Sequence, residues 1–278
     1  MKKTIQSTLP LNNGVEIPYL GLGTWLSTGG ECEKAVTHAL NHGYLMIDTA
    51  QAYDNERQVG KGWKASGKER ENIFITTKIQ NANQGFESTK KSFQKSLKAL
   101  QTDYVDLLLV HWPYIGDFDR SIMTWRAMIE MNEAGLCRSI GVSNFSIPLI
   151  EEFVEKTGVV PAVNQVEFHV FLYQKELLDY CHEKQIQIEA YSPIARAKFL
   201  NEPALTKIAQ KYQKSTAQVM LSWCINHDIV VIPKSVHPER IEENAAIFFE
   251  IAEEDMKELD GLNSNTRLVR SRWDPPTW

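Results

Sequence analysis

The chain has 278 residues, 43% of them apolar and 23% charged, and carries a formal net charge of −5. That length suits a single α/β barrel with a large core, and the acidic balance argues against nucleic acid or an anionic membrane as a partner. No run approaches the roughly 18 apolar residues of a membrane helix, and the opening Met1-Lys2-Lys3-Thr4-Ile5-Gln6 turns polar at once, which predicts no signal peptide and a cytoplasmic location.

The first predicted element is a β-hairpin. Residues 9–11 and 15–17 flank Asn12-Asn13-Gly14, and Asn-Gly is a strong hairpin signal. Eight short apolar runs follow, at 19–23, 44–47, 73–77, 105–110, 139–142, 162–166, 186–190 and 229–232. Between them lie segments of helical period, such as Phe93, Leu97 and Leu100, or Ile150, Phe153 and Val154. Nearly continuous apolar strands alternating with helices predict a parallel sheet covered by helices. Eight such units favour closure into a (β/α)8 TIM barrel over an open sheet. Two helices are expected after the seventh strand, near 202–212 and 216–227. A further one, near 253–262, follows the helix after the eighth strand. No linker or composition break divides the chain, so residues 1–278 read as one barrel domain. An open dinucleotide-binding sheet needs a third glycine after its first strand. Gly21-Leu22-Gly23-Thr24-Trp25-Leu26 has two, which read as relief of crowding. Cys32, Cys137, Cys181 and Cys224 are widely spaced and form no CxxC pair, as expected of free core thiols in a reducing compartment.

Polar residues gather where the strands end. Asp48 follows the second run, Lys78 the third and His111 the fourth. Ser143 and Asn144 follow the fifth, Gln165 lies late in the sixth with Glu167 just beyond, Tyr191 and Ser192 end the seventh, and Lys234 and Ser235 end the eighth. Barrel enzymes place their active sites at this carboxyl-terminal rim.

Asp48, Tyr53, Lys78 and His111 make chemical sense together. A tyrosine with its ordinary pKa of about 10 donates a proton reluctantly near neutrality. Lowering that value to about 7 takes roughly 4 kcal/mol. A lysine ammonium about 4 Å away supplies a similar amount at an effective dielectric near 20. Asp48 would hold Lys78 charged, and His111 would hydrogen-bond a substrate oxygen. Together the groups could protonate a carbonyl oxygen as hydride reaches its carbon. Plainer readings stand beside this one: Asp48–Lys78 as a structural ion pair, Tyr53 as a rim aromatic, His111 as a core histidine.

The eighth strand runs into Ile232-Pro233-Lys234-Ser235-Val236-His237-Pro238-Glu239-Arg240. Pro238 suits a first helical turn, with Ser235 or His237 as its cap. A helix start at this rim position is a common phosphate site. Lys234 and Arg240 add two cations, and Arg grips phosphate bidentately. A solvated basic loop is the plainer reading.

These residues closely resemble the aldo-keto reductase superfamily over nearly the whole chain. The most specific segment is 43–60, GYLMIDTAQAYDNERQVG. Further matches are Thr77-Lys78, DYVDLLLVHWP at 103–113, IGVSNF at 140–145, NQVEFH at 164–169 and VIPKSVHPERIEEN at 231–244. The short loop after His111 and the compact tail are similar to bacterial members of the diketogluconate and methylglyoxal reductase type. The resemblance implies NADPH-dependent reduction of aldehydes or ketones to alcohols. In it Tyr53 is the general acid, and Asp48, Lys78 and His111 complete a catalytic tetrad. Ser143, Asn144 and Gln165 would hold the nicotinamide carboxamide, with Tyr191 stacked on its ring and Ser192 beside it. Lys234, Ser235, Arg240 and Asn244 would bind the adenosine 2′-phosphate and adenine. Trp25 and Trp112 are expected as substrate-pocket walls, joined by the tail 268–278 with Trp273 or Trp278.

The chain departs from the common pattern at Asp54, where a glycine is usual, at Val170 in place of proline, at Ile194-Ala195-Arg196-Ala197, and at Asp228 in place of glycine. The third departure falls in the loop expected to cover the pyrophosphate, with Arg196 as a solvated charge or a phosphate contact. The partner expected is a small carbonyl compound, and the chain is expected to be a monomer. A weakly catalytic NADP(H)-binding regulatory protein is the alternative. The seven histidines contain no HxH or HExxH pattern, so neither a metal-dependent hydrolase nor a metal is expected.

Overall fold

The computed structural model describes residues 2–275. The hairpin forms from β1 (Thr8–Pro10) and β2 (Glu16–Pro18), paired antiparallel with Leu9 opposite Ile17. Its loop closes through Leu11 N–H to Val15 O and Gly14 N–H to Leu11 O, both 2.9 Å. Gly14 takes φ +82°, a left-handed value that glycine adopts without steric cost.

Eight parallel strands follow: β3 (Gly21–Gly23), β4 (Met46–Asp48), β5 (Phe74–Ile79), β6 (Val105–Val110), β7 (Cys137–Ser143), β8 (Val163–Glu167), β9 (Gln187–Tyr191) and β10 (Val230–Val231). Each pairs with the next in chain order. Parallel bridges Leu20–Val231 and Gly23–Lys234 then join the last strand to the first, closing the barrel. The two glycines of β3 permit this closure. A Cβ on Gly23 would lie 2.6 Å from the Ile232 carbonyl oxygen, and one on Gly21 would lie 2.5 Å from the Met46 side chain. They relieve crowding, as the sequence suggested.

The barrel interior is filled by Met46, Phe74, Leu107, Leu109, Val163 and Val230, all buried. Leu11 and Ile17 of the hairpin join the same cluster, so the hairpin plugs the amino-terminal end. At that end Asp106 of β6 is a structural anion. Its Oδ2 accepts from Arg70 (2.7 Å) and from the Ile75 amide (2.9 Å), and its Oδ1 accepts from Arg138 (3.0 Å).

The outer strand faces pack against helices α1 (Gly29–Asn41), α2 (Glu56–Ala65), α3 (Phe86–Leu100), α4 (Phe118–Glu133), α5 (Ile147–Thr157), α6 (Lys175–Glu183), α7 (Pro203–Tyr212), α8 (Thr216–Asn226) and α9 (Pro238–Ala245). Helix α10 (Glu253–Asp260) follows α9. The expected pair after the seventh strand is α7 and α8. Helix α7 starts at Pro203, with Glu202 accepting from the Leu205 amide, and α8 starts with a Ser215–Gln218 capping box. Phe93 and Leu97 of α3, Trp125 of α4, and Ile150 and Phe153 of α5 form the buried stripes. Each such side chain contributes roughly 1.5–3 kcal/mol on burial. All four cysteines are buried and unpaired. Among the described residues no helix is long and apolar enough to cross a membrane.

Candidate active site

The strand register brings the polar strand ends to one rim. Gly23 is level with Asp48, Asp48 with Thr76, Lys78 with Leu109, and Ser143 with Gln165. They surround a cleft of about 460 Å³ whose lining includes Trp25, Asp48, Tyr53, His111, Trp112 and Tyr191.

Asp48 and Lys78 are fully buried and paired. The Lys78 ammonium donates to both Asp48 oxygens, at 2.6 and 2.7 Å, and to the Thr49 carbonyl at 2.9 Å. Burial alone would favour the neutral amine, but Asp48 and Tyr53 raise the Lys78 pKa above its ordinary value. The same Nζ lies 3.4 Å from the Tyr53 phenol oxygen.

Tyr53 sits on a one-turn 3-10 helix, Gln51–Tyr53, directly after β4. Asp54 ends the turn at φ +53°, the left-handed region that glycine favours and aspartate tolerates. Buried Asn55 then fixes the segment. Its amide donates to Thr24 O (2.8 Å) and Ser27 O (2.9 Å), and its Oδ1 accepts from Thr49 Oγ1 (2.7 Å). Sequence reasoning missed Asn55 because its partners lie far away in the chain.

One expectation is corrected here. Lys78 does pull the Tyr53 pKa down, but burial and the Asp48 charge outweigh it, so the phenol is held above its ordinary value. Desolvation, the largest cause, penalises phenolate, and the Asp48 charge adds to it. Tyr53 therefore carries its proton, the state a proton donor requires.

His111 follows β6 and sets its ring edge-on to Tyr53, with centroids 5.5 Å apart. Desolvation and the Lys78 charge push its pKa down to about 3, so the imidazole is neutral.

The residues expected around a nicotinamide form a connected group. The Tyr191 hydroxyl donates to Asn144 Oδ1 (2.8 Å), and Asn144 Nδ2 donates to His111 O (3.1 Å) and Ser143 Oγ (3.0 Å). Ser143 Oγ donates to Gln165 O at 2.8 Å. Gln165 Nε2 spends both hydrogens on carboxylates, Asp48 at 2.9 Å and Glu189 at 2.8 Å. Its side-chain Oε1 accepts no bond among the described residues, and Gln165 lines the cleft. That donor set fits a primary carboxamide, whose N–H needs an acceptor.

Ser192 and Lys234 also line the cleft, whereas Ser235, Arg240 and Asn244 lie beyond its wall, on the loop and α9 that continue from Lys234. Lys234 and Arg240 are exposed, and neither pairs with a carboxylate among the described residues. Two unpaired cations beside a helix start fit a phosphate ester. The cap is corrected: His237 holds the N-cap position, but its side chain bonds no helix amide. Ser235 Oγ instead accepts from the His237 amide at 3.1 Å, tightening the approach to the helix.

Glu189, inside the seventh apolar run, was also missed. It is fully buried in β9 with Oε1 lacking any hydrogen-bond partner. Burial and Asp48 push its pKa up to about 8. Glu167 anchors the tail through the Leu268 and Val269 amides at 2.8 and 2.9 Å. Burial opposes its charge, but bonds from His169 and those amides hold its pKa below the ordinary value. Val269 thereby reaches the cleft. Trp273 packs against Tyr114 with centroids 4.6 Å apart and planes tilted by 46°, and Trp278 lies outside the described residues. Arg196, expected as a solvated charge or a phosphate contact, sets its guanidinium 4.8 Å from the centre of the Trp25 ring.

A closed barrel with a cleft lined by titratable groups at its carboxyl-terminal rim is the architecture of a barrel enzyme. The chain belongs to the aldo/keto reductase family, which it matches over residues 19–264, and is an oxidoreductase acting on carbonyl and alcohol groups. It is 47% identical over 270 residues to glyoxal reductase of Bacillus subtilis, covering 96% of this chain and 97% of the relative. It is 41% identical over 272 residues to morphine 6-dehydrogenase of Pseudomonas putida, covering 93% and 92%. An aldo/keto reductase crystal structure from Brucella melitensis superposes with a TM-score of 0.90 at 45% identity, covering 92% of this chain and 99% of that one. A Bombyx mori aldo-keto reductase in complex with NADP superposes with a TM-score of 0.89 at 33% identity, covering 96% of each.

Proposed function

We propose that this chain reduces small aldehydes and ketones with NADPH, taking the proton from Tyr53. The observation that carries the reading is a phenol 3.4 Å from a buried lysine paired with Asp48, with the His111 imidazole facing the same cleft. When bound, the reduced nicotinamide supplies a hydride to the carbonyl carbon. Tyr53 gives its proton to the carbonyl oxygen, and Lys78 stabilises the phenolate left behind. His111, being neutral, orients that oxygen by a hydrogen bond without competing as the acid. Ser143, Asn144 and the free carbonyl of Gln165 suit the carboxamide, and the Tyr191 ring suits the nicotinamide face. Lys234 and Arg240 favour a 2′-phosphate, with Ser235 and Asn244 beside them, and so favour NADPH over NADH. NADP in the Bombyx mori relative supports this choice. Trp25, Trp112 and Val269 give the substrate side apolar walls that select by size more than by polar contact. The small dicarbonyl in the name of the Bacillus relative suits such walls.

The test is NADPH oxidation with a panel of aldehydes. Tyr53→Phe is expected to lose about 10²–10⁴-fold in turnover while still binding NADPH. Arg240→Ala is expected to weaken NADPH about tenfold or more and leave NADH unchanged, since a charge-assisted bond to phosphate is worth about 1.5–3 kcal/mol. Undiminished turnover in the first variant sinks the acid assignment. Equal losses with both nucleotides in the second sink the phosphate assignment.

A further inference from the structure

Outside the cleft, two histidines and a glutamate converge on the barrel's outer surface. His38 lies in the last turn of α1 and His42 just beyond it, four residues on, so both project from one helix face. Glu242 reaches them from α9. Its Oε1 lies 3.0 Å from His38 Nε2 and 3.4 Å from His42 Nε2, and one donor atom from each residue falls within 4.8 Å of the others. The two imidazoles are stacked, with centroids 3.9 Å apart and planes 26° apart.

The hydrogen bonding leaves a conflict that a cation resolves. His42 Nδ1 lies 2.9 Å from the His38 carbonyl oxygen, which can only accept, so Nδ1 carries the proton. In the neutral ring Nε2 is then a lone pair, and it points at a carboxylate oxygen 3.4 Å away. Two acceptors facing each other repel unless a second ring proton or a metal ion lies between them. An imidazole whose far nitrogen is tied to a carbonyl is also the usual arrangement of a metal-bound histidine.

We propose that His38, His42 and Glu242 form a binding site for a divalent transition cation of the zinc type, clasping α1 to α9. Zinc–ligand bonds of about 2.0–2.1 Å in a tetrahedron set ligand atoms roughly 3.3 Å apart. The two nitrogen–oxygen separations, 3.0 and 3.4 Å, bracket that value. Two imidazoles and one carboxylate select zinc-like ions over magnesium or calcium, which take oxygen ligands. All three side chains are partly open to solvent, so water completes the coordination. None of the three residues lines the cleft, and the site has no part in the chemistry proposed above. Its consequence is mechanical. Glu242 stands on α9 between Arg240 and Asn244, so a bound ion fixes the helix carrying those residues to its neighbour.

The test is titration of the full-length protein with Zn²⁺ against a chromophoric competing chelator, followed by thermal unfolding with and without the metal. One equivalent is expected to bind at free Zn²⁺ on the order of 10 µM and to raise the melting temperature. His42→Ala and Glu242→Gln, both surface changes, are each expected to weaken binding at least tenfold and abolish the thermal shift. The absence of saturable binding to the wild type overturns the proposal. So does binding that survives both substitutions, since the metal then sits elsewhere.

Discussion

Glu189 is joined to Asp48 through a single amide: Gln165 Nε2 bonds both carboxylates, at 2.8 and 2.9 Å. Two acids and one lysine thus share the barrel interior beneath Tyr53. With the Glu189 pKa pushed up to about 8, Glu189 is protonated near neutrality. The interior then holds one cation and one anion.

Between the ordinary carboxylate range and pH 8, the folded chain keeps a proton on Glu189 that the unfolded chain has lost. Stability from this group therefore falls as pH rises through that window. The melting temperature of Glu189→Gln is expected to fall less than that of wild type between pH 6 and pH 9. Above pH 8 the new anion also makes Tyr53 a weaker acid, so the alkaline fall in reduction rate is expected to ease in the variant. Parallel melting curves across that range rule out a proton on Glu189.

Lys78→Met leaves the buried Asp48 carboxyl without the cation that offsets its desolvation. Breaking a buried pair in this way costs about 3–5 kcal/mol. Adding Asp48→Asn removes the unpartnered carboxyl, so the double variant is expected to recover most of the stability and none of the activity. Urea unfolding and NADPH turnover, measured together on both, separate the structural role of the pair from its chemical one. Equal stability of single and double variants contradicts the interpretation.

His111 titrates with the opposite sign. Its folded pKa of about 3 lies below the unfolded value, so its contribution is full above the ordinary histidine range and is lost as pH falls through about 3. In carbon-13 NMR of histidine-labelled protein, the His111 ring is expected to show no titration between pH 5 and pH 8. A midpoint near 6.5 excludes the neutral imidazole on which the substrate hydrogen bond depends.

Ala195, Arg196 and Ala197 all take left-handed backbone, with φ of 48°, 51° and 61°. Each non-glycine residue there carries steric cost. Ala197→Gly is expected to stabilise the protein by about 0.5–1 kcal/mol in chemical denaturation, part of the relief being offset by the freer unfolded chain. Arg196→Ala removes the contact with Trp25, worth about 0.5–1 kcal/mol when exposed. That corresponds to a rise of about two- to fivefold in KM with kcat nearly unchanged, measured by steady-state kinetics.

The barrel was legible because its strands are buried on both faces and stand out as unbroken apolar runs; the run at 105–110 matches β6 at both ends. The pairing of Asp48 with Lys78 followed from their places on adjacent parallel strand ends. The sign of the Tyr53 shift did not, because desolvation depends on what surrounds the phenol in space. Glu189 stayed hidden for a related reason. A single acid inside a run such as Gln187–Tyr191 gives no sign of whether it faces the barrel interior or the helices. Three of the departures from the family pattern, Asp54, Asp228 and residues 195–197 of the 194–197 segment, fall on left-handed backbone. Glycine is usual at two of them, and aspartate is among the few substitutes that tolerate the conformation. Asp228 also supplies a carboxylate to Lys3 and Tyr19, each at 2.6 Å.

Strand β6 begins beside an anion gripped by two arginines and ends at an imidazole that stays uncharged. Leu107 and Leu109 pack into the barrel interior between Asp106 and His111. One anchor of the fold thus lies at the pole opposite the reacting groups. Changes around Arg70 and Arg138 are therefore expected to toughen or weaken the protein while the chemistry stays as it was.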